Sequence, residues 1–223
     1  VHAMRISLER RLGDIELVLN TGILYRFGEV VFQGLAGYPE PFLRRYITFR
    51  PGEAFSYDKM ARTQANYVHA DRFRAVVVNV RKEAAQEGHL PVEIGLSPGP
   101  TKSVRLGAGY GTDTGPRATL RYRDVNMFDQ GQEWHAEAKI SPVFQGISSR
   151  YLFPSRRDWQ TYTALSAGAQ REELTDYVSK LYKVEMERVY GLSDSRVGSV
   201  FLQARGEESH AGEQVTNTFL ILP

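Results

Sequence analysis

The sequence predicts two fold classes in series. A small α+β unit of order β-α-α-β-β comes first, and about eight antiparallel strands of a transmembrane-type β-barrel follow it. Three observations carry this. Ser103–Pro142 alternates apolar and polar residues with period two, in runs separated by turn residues. The alternating segments after residue 100 run to about ten residues, longer than the usual globular strand. Between residues 39 and 70, by contrast, the apolar spacing is helical and β-branched runs flank it.

Alternation is cleanest in the first and third runs. Val104, Leu106, Ala108 and Tyr110 alternate with Ser103, Arg105, Gly107 and Gly109. Trp134, Ala136, Ala138 and Ile140 alternate with Glu133, His135, Glu137 and Lys139. A charge at every second position is incompatible with a sheet buried on both sides. It suits a wall with lipid on one side and water on the other, and equally, by patterning alone, a soluble antiparallel sheet with one wet face. Strand length, the charged second face and aromatics near segment ends (Tyr110, Tyr122, Trp134, Tyr151, Phe153, Trp159, Tyr162, Tyr182) favour the membrane wall. The first apolar set, Val104 and Leu106, and the third, Trp134, Ala136, Ala138 and Ile140, are expected to face lipid. Arg105, Glu133, Glu137 and Lys139 are expected to face water.

Along the chain, residues 1–22 predict two strands with a turn at Leu12-Gly13 and a break at Asn20-Thr21-Gly22, read as the end of a preceding unit of the same kind. Residues 23–97 form the α+β unit. A strand spans 25–34 and a helical stretch spans 39–49 with Phe42, Leu43, Tyr46 and Ile47 spaced for one face. A second helix spans 57–70, with Ser56 as N-cap and Met60, Ala61, Tyr67 and Val68 on or near one face. Asp71-Arg72-Phe73 closes it. A β-branched strand spans 75–82, a polar loop 83–89 and a last strand 90–96. Ser97-Pro98-Gly99-Pro100 reads as a stiff hinge, so 98–101 is the boundary and 102–223 the barrel part. Eight segments follow: 102–111, 116–126, 131–141, 146–153, 157–169, 178–190, 195–206 and 214–222. The opening Val1 and the apolar ending Phe219–Pro223 predict a fragment of a longer protein and an incomplete barrel.

The bulk numbers exclude several functions. The chain has 223 residues, a formal net charge of +2 and no cysteine. Thiolate metal sites, cysteine nucleophiles and disulfides are therefore excluded, and the near-balanced charge provides no general pull toward nucleic acid. No window of eighteen apolar residues occurs, so no transmembrane helix is predicted.

Sharper motifs yield to simpler readings. Asp113-Thr114-Gly115 matches an aspartic-protease triplet, but that chemistry needs a second carboxylate and no second triplet occurs. Thr112, Asp113, Thr114 and Gly115 are expected to form a hairpin turn. Gly107, Gly109 and Gly111 lack the further glycine and following helix of a dinucleotide loop, and are expected to thin or bend the wall. The histidines, His2, His69, His89, His135 and His210, have no ligand spacing. Arg117, Arg121, Arg123, Arg150, Arg156 and Arg157 form a basic set without aromatics interleaved on the same face, so lumen charge or head-group contact is expected instead of nucleic acid. No catalytic, cofactor or metal site is expected.

The motifs Y-R-F-G-E-V-V-F-Q-G (25–34) and F-R-P-G-E-A-F (49–55) resemble those of a POTRA domain, the periplasmic repeat of the BamA/TamA outer-membrane assembly superfamily. The run G-A-G-Y-G-T-D-T-G-P-R (107–117) is similar to the first barrel hairpin of that superfamily's translocation and assembly module branch, TamA. The resemblance implies a bacterial outer-membrane protein with its POTRA part in the periplasm. It also implies that Ser103, Val104, Arg105, Leu106, Gly107, Ala108, Gly109 and Tyr110 form one side of the barrel seam. The implied partners are outer-membrane lipid, unfolded outer-membrane clients and a periplasm-spanning partner anchored in the inner membrane. The family's later V-R-G-F/Y-type motif and closing strand are absent from these residues. Two alternatives remain: a two-partner-secretion transporter, which also joins POTRA units to a barrel, and a soluble β-rich binding module.

Overall fold

A computed structural model describes residues 3–7, 12–16, 23–35, 37–112, 114–193, 196–212 and 214–223. Strands β1 (Ala3–Ser7) and β2 (Leu12–Glu16) pair antiparallel, with Ile6 opposite Gly13 and Ser7 opposite Leu12. Leu12-Gly13 thus belongs to a strand and not to the connecting turn. The turn itself and Asn20-Thr21-Gly22 lie outside the described residues.

The α+β unit consists of β3 (Arg26–Gln33), α1 (Glu40–Arg44), α2 (Tyr57–His69), β4 (Phe73–Val80) and β5 (His89–Pro98). The sheet order is β3-β5-β4, with β3 parallel and β4 antiparallel to β5. Its core holds Phe27, Val30, Phe42, Leu43, Tyr67 and Ile94, with Phe27 stacked on Phe49 at 3.9 Å. Tyr67 is fully buried, and its hydroxyl donates to the Leu43 carbonyl at 2.7 Å. Burial removes the phenol from water and raises its pKa far above the usual value.

Four local expectations shift. Helical structure in 39–49 is confined to Glu40–Arg44, because Thr48 turns its backbone N–H to Thr63 Oγ1 (3.1 Å) and its hydroxyl to the Lys59 carbonyl (2.8 Å). On α2 the buried face is Met60, Thr63 and Tyr67, while Ala61 and Val68 face outward. Helix α2 ends at His69, and Asp71 just beyond it takes a left-handed φ of 52°, so Phe73 already starts β4. Ser56 occupies the N-cap position without a side-chain cap bond, and Lys59 pairs instead with Glu53.

A short link leads to the second part. Pro98 is the last residue of β5. Gly99 donates its N–H to the Arg72 carbonyl at 3.0 Å, and Thr101 accepts from Val125 N–H at 2.8 Å. A Cβ on Gly99 would meet the Arg72 carbonyl oxygen at 2.9 Å, so only glycine passes this close.

Eight antiparallel strands follow: β6 (Lys102–Gly111), β7 (Gly115–Met127), β8 (Gln132–Ile140), β9 (Phe144–Pro154), β10 (Tyr162–Leu174), β11 (Tyr177–Ser193), β12 (Arg196–Ala211) and β13 (Gln214–Leu222). They form one open sheet in sequence order, with β6 and β13 at the edges. Strand β10 starts at Tyr162 and not near 157, because Asp158 folds the preceding loop. Its carboxylate accepts from Thr161 N–H (2.7 Å) and Thr161 Oγ1 (2.8 Å).

Candidate functional site

Pairing register assigns every side chain of the large sheet to one of two faces, because directly opposed residues share a face. One face carries the row Leu106–Leu120–Ala138–Ile147–Ala169–Tyr182. Beside it runs Val104–Tyr122–Ala136–Ser149–Ala167–Val184. Trp134 and Ile140 lie on this face too, opposite Asp124 and Ala118. The face is uncovered: Leu106 is 81% exposed and Ile147 63%. Among the described residues no second layer packs on it.

The other face is charged. Arg105, Arg121, Glu137, Ser148 and Lys183 fall in one row. Glu137 accepts from both Arg121 and Lys139, Arg150 meets Glu187 at 2.7 Å, and Arg205 meets Glu207 at 2.7 Å. His135 shares Glu133 at 2.9 Å. Among the described residues no group of three His, Cys, Asp or Glu side chains is arranged to hold a metal ion.

Aromatic placement differs in part from the sequence expectation. Tyr122, Trp134, Tyr151 and Phe153 gather on the apolar face at the end nearest the α+β unit, with Tyr122 and Trp134 edge to face at 5.2 Å. Tyr162 instead lies on the charged face, in the row of Pro154 and Val189. Trp159 sits in the loop before β10 and packs against the core of the α+β unit.

The expected seam residues, Ser103 to Tyr110, all lie on β6, which among the described residues pairs only with β7. Its backbone groups on the other side are open to a further strand. Gly107 and Gly109 are on the charged face, and their environments differ. A Cβ on Gly107 would meet only Thr119 Cβ at 3.9 Å, whereas one on Gly109 would meet Arg117 Nε at 3.0 Å. Gly109 therefore makes room for the Arg117 side chain. In the hairpin after β6, Gly115 takes φ 69°, a turn conformation suited to glycine. Thr112 and Thr114 flank the turn, and Asp113 lies outside the described residues.

The feature that sequence reasoning missed is the junction. Arg72 is 6% exposed. It donates to the Val125 carbonyl and, at 2.5 Å, to Glu133 Oε1. Arg45 donates to the Trp159 carbonyl at 2.8 Å, and burial lowers its pKa. Asn126 donates to the Gly37 carbonyl at 3.1 Å and accepts from Gly131 N–H at 2.8 Å. Gly131, at φ 69°, lies so close to the Phe42 ring that a Cβ would stand 2.3 Å from it. Arg123, on the charged face, reaches Asp71 at 2.9 Å. The only sequence signal for this docking was the pair of turn residues in Asn126–Gly131, which any hairpin shares.

Residues 25–99 match the POTRA family, described as the surface antigen variable number repeat. Among solved structures the chain is similar to BamA from Haemophilus ducreyi lacking POTRA domains 1–3. The TM-score is 0.71 at 12% identity, covering 95% of this chain and 41% of that one. It is also similar to CdiB from Acinetobacter baumannii, with TM-score 0.61 and 13% identity, covering 89% of this chain and 40% of that one. CdiB from Escherichia coli matches with TM-score 0.66 and 12% identity, covering 88% of this chain and 40% of that one. The chain thus spans about two fifths of the length of the structures it matches. A POTRA domain at residues 25–99, docked through Arg72 and Asn126 on an open eight-stranded antiparallel sheet, gives the chain the fold of the matching parts of BamA and CdiB.

Proposed function

We propose that this chain is part of an outer-membrane assembly or translocation factor that helps insert or export β-barrel or autotransporter-type clients by strand augmentation, with no catalytic step. Residues 102–223 sit in the bacterial outer membrane. Residues 23–97 are the periplasmic POTRA unit, 98–101 the link to it, and 1–22 the end of a preceding POTRA unit. The observation that carries the reading is the placement of β6: an edge strand, joined by a bonded link to a docked POTRA domain.

A bilayer offers backbone groups no partners, so a spanning sheet must satisfy them internally. A strand edge at an openable seam is the place where an incoming segment finds main-chain partners without a demand on its sequence. The POTRA sheet offers a second edge at β4, which pairs only with β5. Outer-membrane lipid would meet the apolar face. On β11 that face is apolar from Met186 through Val184 to Tyr182, between Arg188 and Lys180. At about 3.3 Å per residue and a tilt near 40°, the flanking charges Arg188 and Lys180 stand about 20 Å apart across the bilayer, within the roughly 25 Å apolar band of outer-membrane barrels. The further partners are unfolded clients and a periplasm-spanning protein anchored in the inner membrane.

The deciding experiment is a disulfide between Ala108 and the strand that closes the barrel in the full-length protein. It should abolish client insertion reversibly, with folding intact. Undiminished insertion through the locked seam would overturn the reading. A two-partner-secretion transporter is the second reading, favoured by the two CdiB matches. It predicts export of one cognate substrate and no insertion of unrelated barrels. The soluble binding module is disfavoured by the uncovered apolar face.

A further inference from the structure

We infer that the edge of β6 left unpaired among the described residues selects its incoming strand by charge, preferring a client strand with two carboxylates four residues apart on its inward face. This rests on the augmentation reading above and adds a specificity to it.

The observations concern the inner face of the edge hairpin. Arg105 on β6 stands directly opposite Arg121 on β7. Like charges opposed across a sheet repel, and a carboxylate beside either one relieves the repulsion. Arg121 has one in Glu137, but Glu137 also holds Lys139. Arg105 has no ion-pair or hydrogen-bond partner among the described residues. Arg117 is in the same position. It forms no ion pair among the described residues, and its guanidinium lies over Gly109 of the edge strand, with Nε 3.0 Å and Nη2 3.8 Å from where a Cβ would stand. The remaining residues on that face of β6 are Ser103 and the bare glycines 107, 109 and 111. A strand added at this edge therefore meets two cations that no described residue pairs, and almost nothing else on its inner side.

Their spacing sets the register. Arg105 and Gly109, which carries Arg117 above it, are four residues apart on one strand and on the same face, about 13 Å at the usual rise. An added strand has the same rise, so its matching carboxylates fall four residues apart. Both cations point away from the apolar face, so lipid phosphate at that face does not answer them. Two partly exposed ion pairs favour the acidic strand about tenfold over a neutral one.

The chain in detergent micelles provides the test. Labelled peptides of about ten residues, the length of a barrel strand, carry outward apolar residues and inward serines. Two inward positions four apart are Glu, Gln or Lys. Binding is read by anisotropy. The site is read by disulfide trapping, under a mild thiol oxidant, between Ser103→Cys and one cysteine that replaces an inward serine of each peptide, in a chain that has no other cysteine. The Glu peptide should bind about tenfold tighter than the Gln peptide and the Lys peptide most weakly, with the spread shrinking at high salt. The Arg105→Glu/Arg117→Glu chain should invert that order, and Arg105→Gln/Arg117→Gln should flatten it. Neither double variant breaks a described ion pair, and a retained strand spectrum confirms folding. Equal binding of all three peptides at β6, or an unchanged order in both double variants, overturns the charge selection and leaves augmentation standing. Failure of every peptide to trap at β6 overturns augmentation and the selection with it.

Discussion

Replacing Arg72 with methionine should release the POTRA domain from the barrel rim while each part stays folded. Arg72 is 6% exposed, bonded to the Val125 carbonyl and to Glu133 at 2.5 Å, and seated 5.1 Å from the Phe42 ring centroid. Methionine keeps most of the apolar stem against Phe42 and removes the charge with both hydrogen bonds. Breaking a buried pair costs about 3–5 kcal/mol when the remaining charge is stranded. Glu133 is not stranded, since His135 lies at 2.9 Å and Arg123 at 3.8 Å. The expected loss is therefore about 2–3 kcal/mol, near the value of a charge-assisted bond plus an orphaned carbonyl. The chain has two tryptophans. A Trp134→Phe background leaves Trp159, in the loop that Arg45 holds, as the junction's reporter. Urea titration in micelles, followed by Trp159 emission, reads the release. Arg72→Met, Glu133→Gln and the double variant should show a coupling of at least about 1 kcal/mol. Additivity within about 0.5 kcal/mol would refute the claim that this pair fastens the two parts.

Gly131→Ala should weaken the same junction by about 1–3 kcal/mol, since it combines a left-handed backbone with a clash against Phe42; an unchanged Trp159 transition would contradict that. Ala138→Arg should cost about 2–4 kcal/mol of stability in bilayers if the apolar face meets lipid at mid-depth, and Glu137→Arg far less; equal costs on the two faces would sink the membrane assignment. Gly109→Val should displace Arg117, with altered peptide selectivity as the readout, while Gly107→Val, facing only Thr119 Cβ at 3.9 Å, should not. The hydrogen bond from Lys59, followed by that from the Arg50 backbone, holds the Glu53 carboxyl below its ordinary pKa. A depressed carboxyl stabilises the fold above its unfolded pKa, and that stabilisation fades as pH falls through the lower folded value. Thermal melts should show the gap between wild type and Glu53→Gln closing on acidification from pH 6; a gap that widens would reverse the sign.

Much of this architecture was legible in the residues themselves, because it depends on period. Alternation over Ser103–Tyr110 and Glu133–Ile140 puts Leu106 and Ala138 on the apolar side and Arg105 and Glu137 on the charged side, and the pairing register through β7 keeps each pair on one face. The helix at Tyr57–His69 and the strand at His89–Pro98 follow from local spacing and turn residues in the same way. Tertiary structure decided what depends on atoms distant in sequence. Residue spacing has no term for Arg72 meeting Glu133, for Phe42 pressing on Gly131, or for Thr48 ending α1 by bonding to Thr63. It also ranks Gly107 and Gly109 alike, although only Gly109 shelters a guanidinium. Periodicity is a property of the chain's own geometry and is written locally. The docking of a domain on a sheet, and the charge left unanswered at an edge, exist only after the strands have chosen their neighbours.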